Sequence, residues 1–192
     1  WDHQGLALPL MARNDFDRLM GLLLALSCGL LGVCAQLQPG PEGRVRVVYV
    51  IDGDTVIVSA EEAREERIRI LGINAPEIAH PEHPDARPAQ CWGEEATRAA
   101  RELLPEGASI TLQRDPKTAD RDRYKRPLRY VELPDGRDFG HVMVQEGNAF
   151  EASYGEAYTR WRTYAAAQDE AKAACRGRWA SCGRRADGHC AL

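Results

Sequence analysis

The first half of the folded chain is patterned for strands. Residues 44–51 (RVRVVYVI) and 55–59 (TVIVS) are rich in β-branched and aromatic side chains, and Asp52-Gly53 stands between them. An Asp-Gly pair is a strong tight-turn signal, so 44–59 predicts a β-hairpin. An acidic connection over 60–66 leads to a third strand, 67–73 (RIRILGI), which Asn74-Ala75-Pro76 ends. The period then changes. Over 94–104 (EEATRAARELL), Ala96, Ala99, Ala100, Leu103 and Leu104 share one helical face. Glu94 and Glu95 suit the positive end of that helix, and Pro105 and Gly107 stop it. Residues 109–114 and 127–133 predict two more strands, the second closed by a Pro134-Asp135-Gly136 turn. A short helix over 140–147 ends at Gly147. The last predicted helix is 158–175, with Trp161, Tyr164, Ala165, Ala171 and Cys175 on one stripe and Gly177 as its stop.

Three strands, a helix, two strands and then helices is too strand-first for a parallel βαβ sheet. The expected class is α+β, mainly β: a five-stranded OB-fold barrel with about three helices packed on it.

Residues 19–33 (LMGLLLALSCGLLGV) form a long apolar run, too short to span a bilayer, which takes about 20 residues. The run has no polar face and ends in Val33-Cys34-Ala35, small residues before a cleavage point at Gln36. That pattern predicts a signal segment over 1–35 and an exported protein, periplasmic or secreted, with no stable membrane span. Lipoprotein processing at Cys28 or Cys34 fits less well, because Leu26-Ser27 and Gly32-Val33 are unusual before such a cysteine. The chain opens on Trp1, so residues before Met11 are expected to lie outside the natural product. A Pro/Gly linker (36–43), a main domain (44–182) and a polar tail (183–192) complete the expected organisation. Of six cysteines, Cys91, Cys175, Cys182 and Cys190 follow the signal. An even number in an oxidising compartment predicts disulfides, with three pairings open.

The 192 residues carry 25 basic and 29 acidic side chains, a net charge of -4. Binding to nucleic acid through bulk positive charge is excluded, and a polyanion site must come from local clustering. One such cluster is the segment 112–129, where Arg114, Lys117, Arg121, Arg123, Lys125, Arg126 and Arg129 outnumber Asp115, Asp120 and Asp122. Taken singly, the candidates have ordinary explanations: Asp-Gly is a hairpin turn, Arg69 a strand residue opposite the apolar face of Ile68 and Ile70, and the basic run a solvated loop.

Their combination is more specific. The stretches IDGDTV, RIRILGINAPE, CWGEEA, DRYKR followed by LRYVEL, VQEGNAF and GRW resemble, in order and spacing, the staphylococcal (micrococcal) nuclease family from about Val47 to Trp179. The resemblance implies an OB-type barrel and a calcium-dependent phosphodiesterase that cuts DNA and RNA to leave 3′-phosphates. It matches Asp54 to a calcium-ligating aspartate, Ala75 to a residue whose backbone carbonyl meets the metal, and Glu77 to the general base. Arg69 and Arg126 match the arginines that hold the phosphate, and Tyr124 matches a substrate-contacting tyrosine. A second such tyrosine has no clear counterpart; Ser153 stands at its position, with Tyr154 or Tyr158 nearby. The set makes chemical sense, because guanidinium forks and a divalent cation stabilise the charge that a phosphodiester gains when water attacks it.

Two departures bear on the site. Asn74 stands where the family has a second metal-binding aspartate; its amide oxygen can ligate, but one negative charge is lost and weaker or altered metal binding is expected. Lys125 replaces a glycine between Tyr124 and Arg126, which alters the arginine's aim if that glycine supplied a positive φ. The alternative reading, which Asn74 favours, is a catalytically weakened OB module that binds nucleic acid or a protein. A monomer is expected. His80 and His83 on a Pro-rich loop, the packing tryptophans Trp92, Trp161 and Trp179, and the basic end around Arg184 and Arg185 rank below these residues.

Overall fold

The computed structural model describes residues 40–60, 64–79, 88–153 and 157–182. The signal segment, most of the linker, the tail, His80, His83, Tyr154 and Cys190 lie outside them. Five strands form a closed barrel: β1 (Gly43–Asp52), β2 (Thr55–Ser59), β3 (Glu65–Ile70), β5 (Ser109–Gln113) and β6 (Leu128–Glu132), in the order β1-β2-β3-β6-β5. Four of its five seams are antiparallel, and β3 runs parallel to β6. This is the expected OB-type barrel. A closed sheet leaves no long edge to be protected.

The alternation seen in the sequence fills the interior. Val45, Val47 and Val50 of β1, Val56 and Val58 of β2, Ile68 and Ile70 of β3, Ile110 and Leu112 of β5 and Val131 of β6 form one buried cluster. Irregularities in the β1–β2 register at Val47/Tyr49 and Val50/Asp52 keep the valines inward while the strand bends around the barrel. Helix α1 (Gly93–Leu103) adds Ala96 and Ala100, both fully buried, so small side chains let it lie close against the barrel. Helix α2 (Phe139–Gln145) is capped by Asp138, whose carboxylate accepts the His141 amide at 3.1 Å. It ends before Gly147 at φ 72°, as its sequence predicts.

Helix α3 (Trp161–Ala173) differs from its sequence reading in start, face and stop. Its buried stripe is Tyr164, Ala167 and Ala171. Trp161 is 38% exposed and Cys175 lies beyond the helix at φ 52°, so neither belongs to the stripe. Residue 158 is no helix start, because the Tyr158 hydroxyl is drawn inward to the Gly72 carbonyl (3.1 Å) and to Glu151 (3.0 Å). Gly177 does not stop α3; it opens the short α4 (Arg178–Ser181). Two strands of two residues each, β4 (Ile73–Asn74) and β7 (Phe150–Glu151), pair with each other and were not legible in the sequence.

Two fully buried charges, Arg129 and Asp115, have partners. Arg129, fully buried, bonds the Pro41 carbonyl (2.7 Å) and Asp120 (2.7 Å), and the Gly40 amide bonds Asp120 at 2.8 Å. Gly40 and Pro41, placed by composition at the end of a linker, are therefore fastened to the barrel. Asp115, also fully buried, accepts bonds from the Tyr130 hydroxyl, the Lys117 amide (2.8 Å) and the Thr159 amide (2.6 Å) and hydroxyl (3.0 Å). A disulfide joins Cys91 to Cys182, 91 residues apart, and Cys175 is also disulfide-bonded. In the chain-entropy account, closing so long a loop removes about 4–5 kcal/mol of freedom from the unfolded state.

Candidate active site

The β1–β2 turn builds the centre of the site. Asp52 Oδ1 accepts the Asp54 amide at 3.0 Å, which folds the turn back and buries Asp54. Gly53 is required there because a Cβ would sit 2.5 Å from the Ala75 Cβ. That close approach lets the Ala75 amide donate to Asp54 Oδ2 at 2.8 Å, while the Thr55 hydroxyl donates to Oδ1 at 3.0 Å. Register places Arg69 of β3 opposite Thr55 of β2. Its Nη2 lies 3.1 Å from Asp54 Oδ2 and 3.2 Å from Asn74 Oδ1. Its Nη1 donates to the carbonyls of Ile70 (2.6 Å) and Ile73 (2.8 Å). The guanidinium plane is thus set by backbone. Asp54, Arg69, Asn74 and Ala75, which the family resemblance assigns to one metal and phosphate site, form one hydrogen-bonded cluster.

Burial pushes the Asp54 carboxyl up to about 6, with Arg69 opposing the rise and Asp52 adding to it. Arg69 and the bonds from Ala75 and Thr55 favour the carboxyl's ionised form.

Arg126 is held by a separate frame that adjoins the cluster. The Arg69 amide donates to the Pro127 carbonyl at 3.0 Å, so the residue after Arg126 is bonded to Arg69's own backbone. Asp122 accepts the amides of Tyr124 and Arg126 (both 2.9 Å) and the Arg126 Nε at 2.7 Å. Lys125 adopts φ 64° in this turn. The positive φ expected of a glycine is therefore kept, with a lysine bearing its strain. The Tyr124 ring is 64% exposed, with the guanidinium carbons of Arg123 and Arg126 at 4.8 and 5.4 Å from its centre. Packing into the core does not explain that ring.

Glu77 is exposed, two residues beyond Ala75. Its amide donates to Gln90 Oε1 (3.1 Å) and its carbonyl accepts the Gln90 amide (2.8 Å). Ser153 is exposed and bonds Glu151 at 2.7 Å, while Tyr158 is buried and offers no free-standing ring to a substrate.

Among the described residues, four of the seven basic side chains in the basic segment are paired with carboxylates. Arg114 and Arg129 pair with Asp120, Arg121 with Glu66 and Asp120, and Arg126 with Asp122. Asp52 and Asp122 stand in the sequence motifs without a role assigned to them, and Gln90 was not singled out, although each fixes a candidate side chain or its backbone. The available signals were the Asp-Gly-Asp run and the four-residue spacing from Asp122 to Arg126.

The described residues hold no cluster of three His, Cys, Asp or Glu side chains suited to a metal. The donors that converge are one buried carboxylate and one amide oxygen, both within 3.2 Å of a single Arg69 nitrogen. All-oxygen donors of this kind fit a hard cation, and the buried charge of Asp54 favours one. A cleft of about 780 Å³ lies elsewhere, between α1 and α2. Its carboxylates Glu102, Asp138 and Glu146 outnumber Arg137 and make it a poor host for a phosphate.

The family model described as "Staphylococcal nuclease homologue" matches residues 67–181, from β3 through α4. The chain belongs to the staphylococcal nuclease family. Among relatives within this family, a "Thermonuclease" of Staphylococcus hyicus is 30% identical over 148 residues, 77% of this chain and 82% of the relative. A "Thermonuclease" of Staphylococcus intermedius is 34% identical over 104 residues, 54% of this chain and 56% of the relative. An "Uncharacterized endonuclease" of Escherichia coli is 33% identical over 134 residues, 70% of this chain and 75% of the relative. In this staphylococcal nuclease-family chain the matched region includes Arg69, Asn74, Ala75, Glu77 and Arg126, while Asp54 precedes residue 67.

Proposed function

We propose that the protein is a metal-dependent nuclease that hydrolyses phosphodiester bonds of DNA and RNA and leaves 3′-phosphates. The observation that carries this reading is the single buried cluster in which Asp54, Asn74 and Ala75 surround Arg69 beside the Arg126 turn. Arg69, its plane fixed by two carbonyls, and Arg126, gripped through Nε, hold the phosphate. Asp122 takes the Arg126 Nε, so its terminal Nη groups can form a two-pronged contact with non-bridging oxygens. As charge builds on those oxygens, preset guanidinium groups stabilise it without reorganising. Glu77, exposed to solvent, accepts the proton of the attacking water. Calcium bound by Asp54, Asn74 and the Ala75 carbonyl would supply polarisation of the phosphate oxygen and orientation of the water. Tyr124 and Lys125 face the substrate, with Tyr124 as a stacking platform; Tyr154 stays a candidate for the second contact. The Cys91–Cys182 disulfide supports an exported, oxidised protein, and a monomer is the expected state.

Hydrolysis of single-stranded DNA and RNA with EDTA and with restored calcium, magnesium or manganese tests the reading, with 3′-phosphate ends identified by whether phosphatase treatment is needed before the product 3′ ends can be extended enzymatically. Calcium-restored cleavage with 3′-phosphate ends is expected, and Glu77→Gln should lower kcat about 10²–10⁴-fold. Unchanged kcat in Glu77→Gln would remove the assigned base. Tight binding without cleavage would favour the second reading, a weakened binding module, for which Asn74 is the supporting feature.

A further inference from the structure

We propose that the turn Gln90–Gly93 is a positioning clamp for Glu77, tightened by the Cys91–Cys182 disulfide, so that the enzyme's turnover depends on that bond being oxidised. The inference rests on the reading of Glu77 as the base. Glu77 lies in a stretch without helix or strand, yet a general base must be placed to within a fraction of an ångström to be effective. Among the described residues, the contacts that place its backbone come from one short turn. Gln90 meets Glu77 with two bonds, its side-chain oxygen on the Glu77 amide and its own amide on the Glu77 carbonyl. Gly93, first residue of α1, presses on the same carbonyl so closely that a Cβ would sit 2.4 Å from it. The Gly93 amide in turn bonds the Gln90 carbonyl at 3.0 Å.

This turn is strained and fastened from outside. Trp92 adopts φ 75°, and its indole donates to Asn148 Oδ1 at 2.9 Å. Cys91, exposed and immediately after Gln90, is bonded to Cys182 beyond α4. Two anchors on the C-terminal helical layer therefore hold Trp92 in a conformation that a bulky residue disfavours. Removing the covalent anchor lets the turn relax and releases Gln90 from Glu77. A dithiol can remove it: its thiolate attacks a sulfur of the bridge, and the mixed disulfide then resolves. Two electrons and two protons pass from the dithiol to Cys91 and Cys182, which end as thiols while the dithiol ends as a cyclic disulfide. A newly made chain in a reducing compartment would thus carry the phosphate site with its base unclamped, and oxidation would complete it.

The test compares full-length oxidised protein with Gln90→Met, which keeps the side chain's bulk without the acceptor, and with Cys91→Ser/Cys182→Ser. Gln90→Met, with its disulfide intact, keeps the question open to refutation even if the cysteine variant unfolds. Each variant is also made on Glu77→Gln. Amide exchange at Glu77 is followed by NMR, and kcat and KM are measured on a DNA oligonucleotide. Both variants should speed Glu77 exchange at least about tenfold and lower kcat about tenfold with KM unchanged within about twofold. Neither should lower the residual kcat of Glu77→Gln further. Unchanged exchange, or an equal loss on both backgrounds, overturns the clamp. A wild-type kcat that Glu77→Gln does not reduce overturns instead the reading of Glu77 as the base, and the exchange data still judge the clamp.

Discussion

Arg69 has a structural duty that its substitution should expose. Its guanidinium serves the Asp54 carboxylate and the carbonyls of Ile70 and Ile73, and the side chains of the ion pair are 8% and 7% exposed. Arg69→Ala leaves one buried charge and two carbonyls without these donors. Each orphaned carbonyl costs about 1–3 kcal/mol and an unpaired buried charge about 3–5 kcal/mol. Local relaxation and entry of water make the costs less than additive, so the expected loss is about 4 kcal/mol. That is a large share of a stability of about 5–15 kcal/mol. Asp54→Asn keeps an oxygen for the Ala75 amide and the Thr55 hydroxyl while removing the charge. The double variant should therefore regain about 2 kcal/mol relative to Arg69→Ala, a coupling typical of contacting residues. Urea unfolding at pH 7.5 in EDTA, with the disulfides intact and m-values compared, measures all four corners of the cycle. A cost below about 1 kcal/mol for Arg69→Ala would refute the structural duty. An Asp54→Asn effect equal in both backgrounds would refute the pairing.

Acid should weaken the fold through Asp115 and Asp120. Burial raises the Asp115 carboxyl, but bonds from Tyr130, Lys117 and Thr159 outweigh it and hold it below the usual value; bonds from Gly40 and Arg129 do the same for Asp120. Their contribution is complete above the unfolded carboxylate range and fades as pH falls below about 4 toward the lower folded values. Urea midpoints measured from pH 6 to pH 2 should drop in that window, and Asp115→Asn should flatten the drop; a slope identical in the variant would contradict it. Gly53→Ala should destabilise by about 1–3 kcal/mol through its collision with Ala75, and Ala75→Gly should restore part of the loss in the same unfolding assay. No recovery would place the strain elsewhere. Lys125→Gly should leave stability equal or raise it by up to about 1 kcal/mol, because the turn already needs φ 64°. A clear fall in Tm would show that the lysine side chain contributes more than its backbone strain costs.

The division between sequence and structure follows the range of the forces involved. Strand alternation, a tight turn between β1 and β2 (at Gly53-Asp54, one residue on from the expected Asp52-Gly53), the small-residue face of α1 and the stop at Gly147 were readable because each follows from neighbours a few residues apart. The barrel class followed from element order, and Asp54, Arg69, Glu77 and Arg126 were proposed as site residues from motifs matched in order. What could not be read depended on which groups the fold gathers around one side chain. Arg69 and Arg129 look like surface arginines, yet each is buried because the fold sets partners around it, Asp54 and the Ile73 carbonyl for Arg69, Asp120 and the Pro41 carbonyl for Arg129. Trp161 matched a helical stripe, but the packed layer selected Tyr164, Ala167 and Ala171 instead. Local sequence set the periods and turns. Only the closed barrel decided which side chains met, because desolvating a charge is tolerable only where folding delivers its partner.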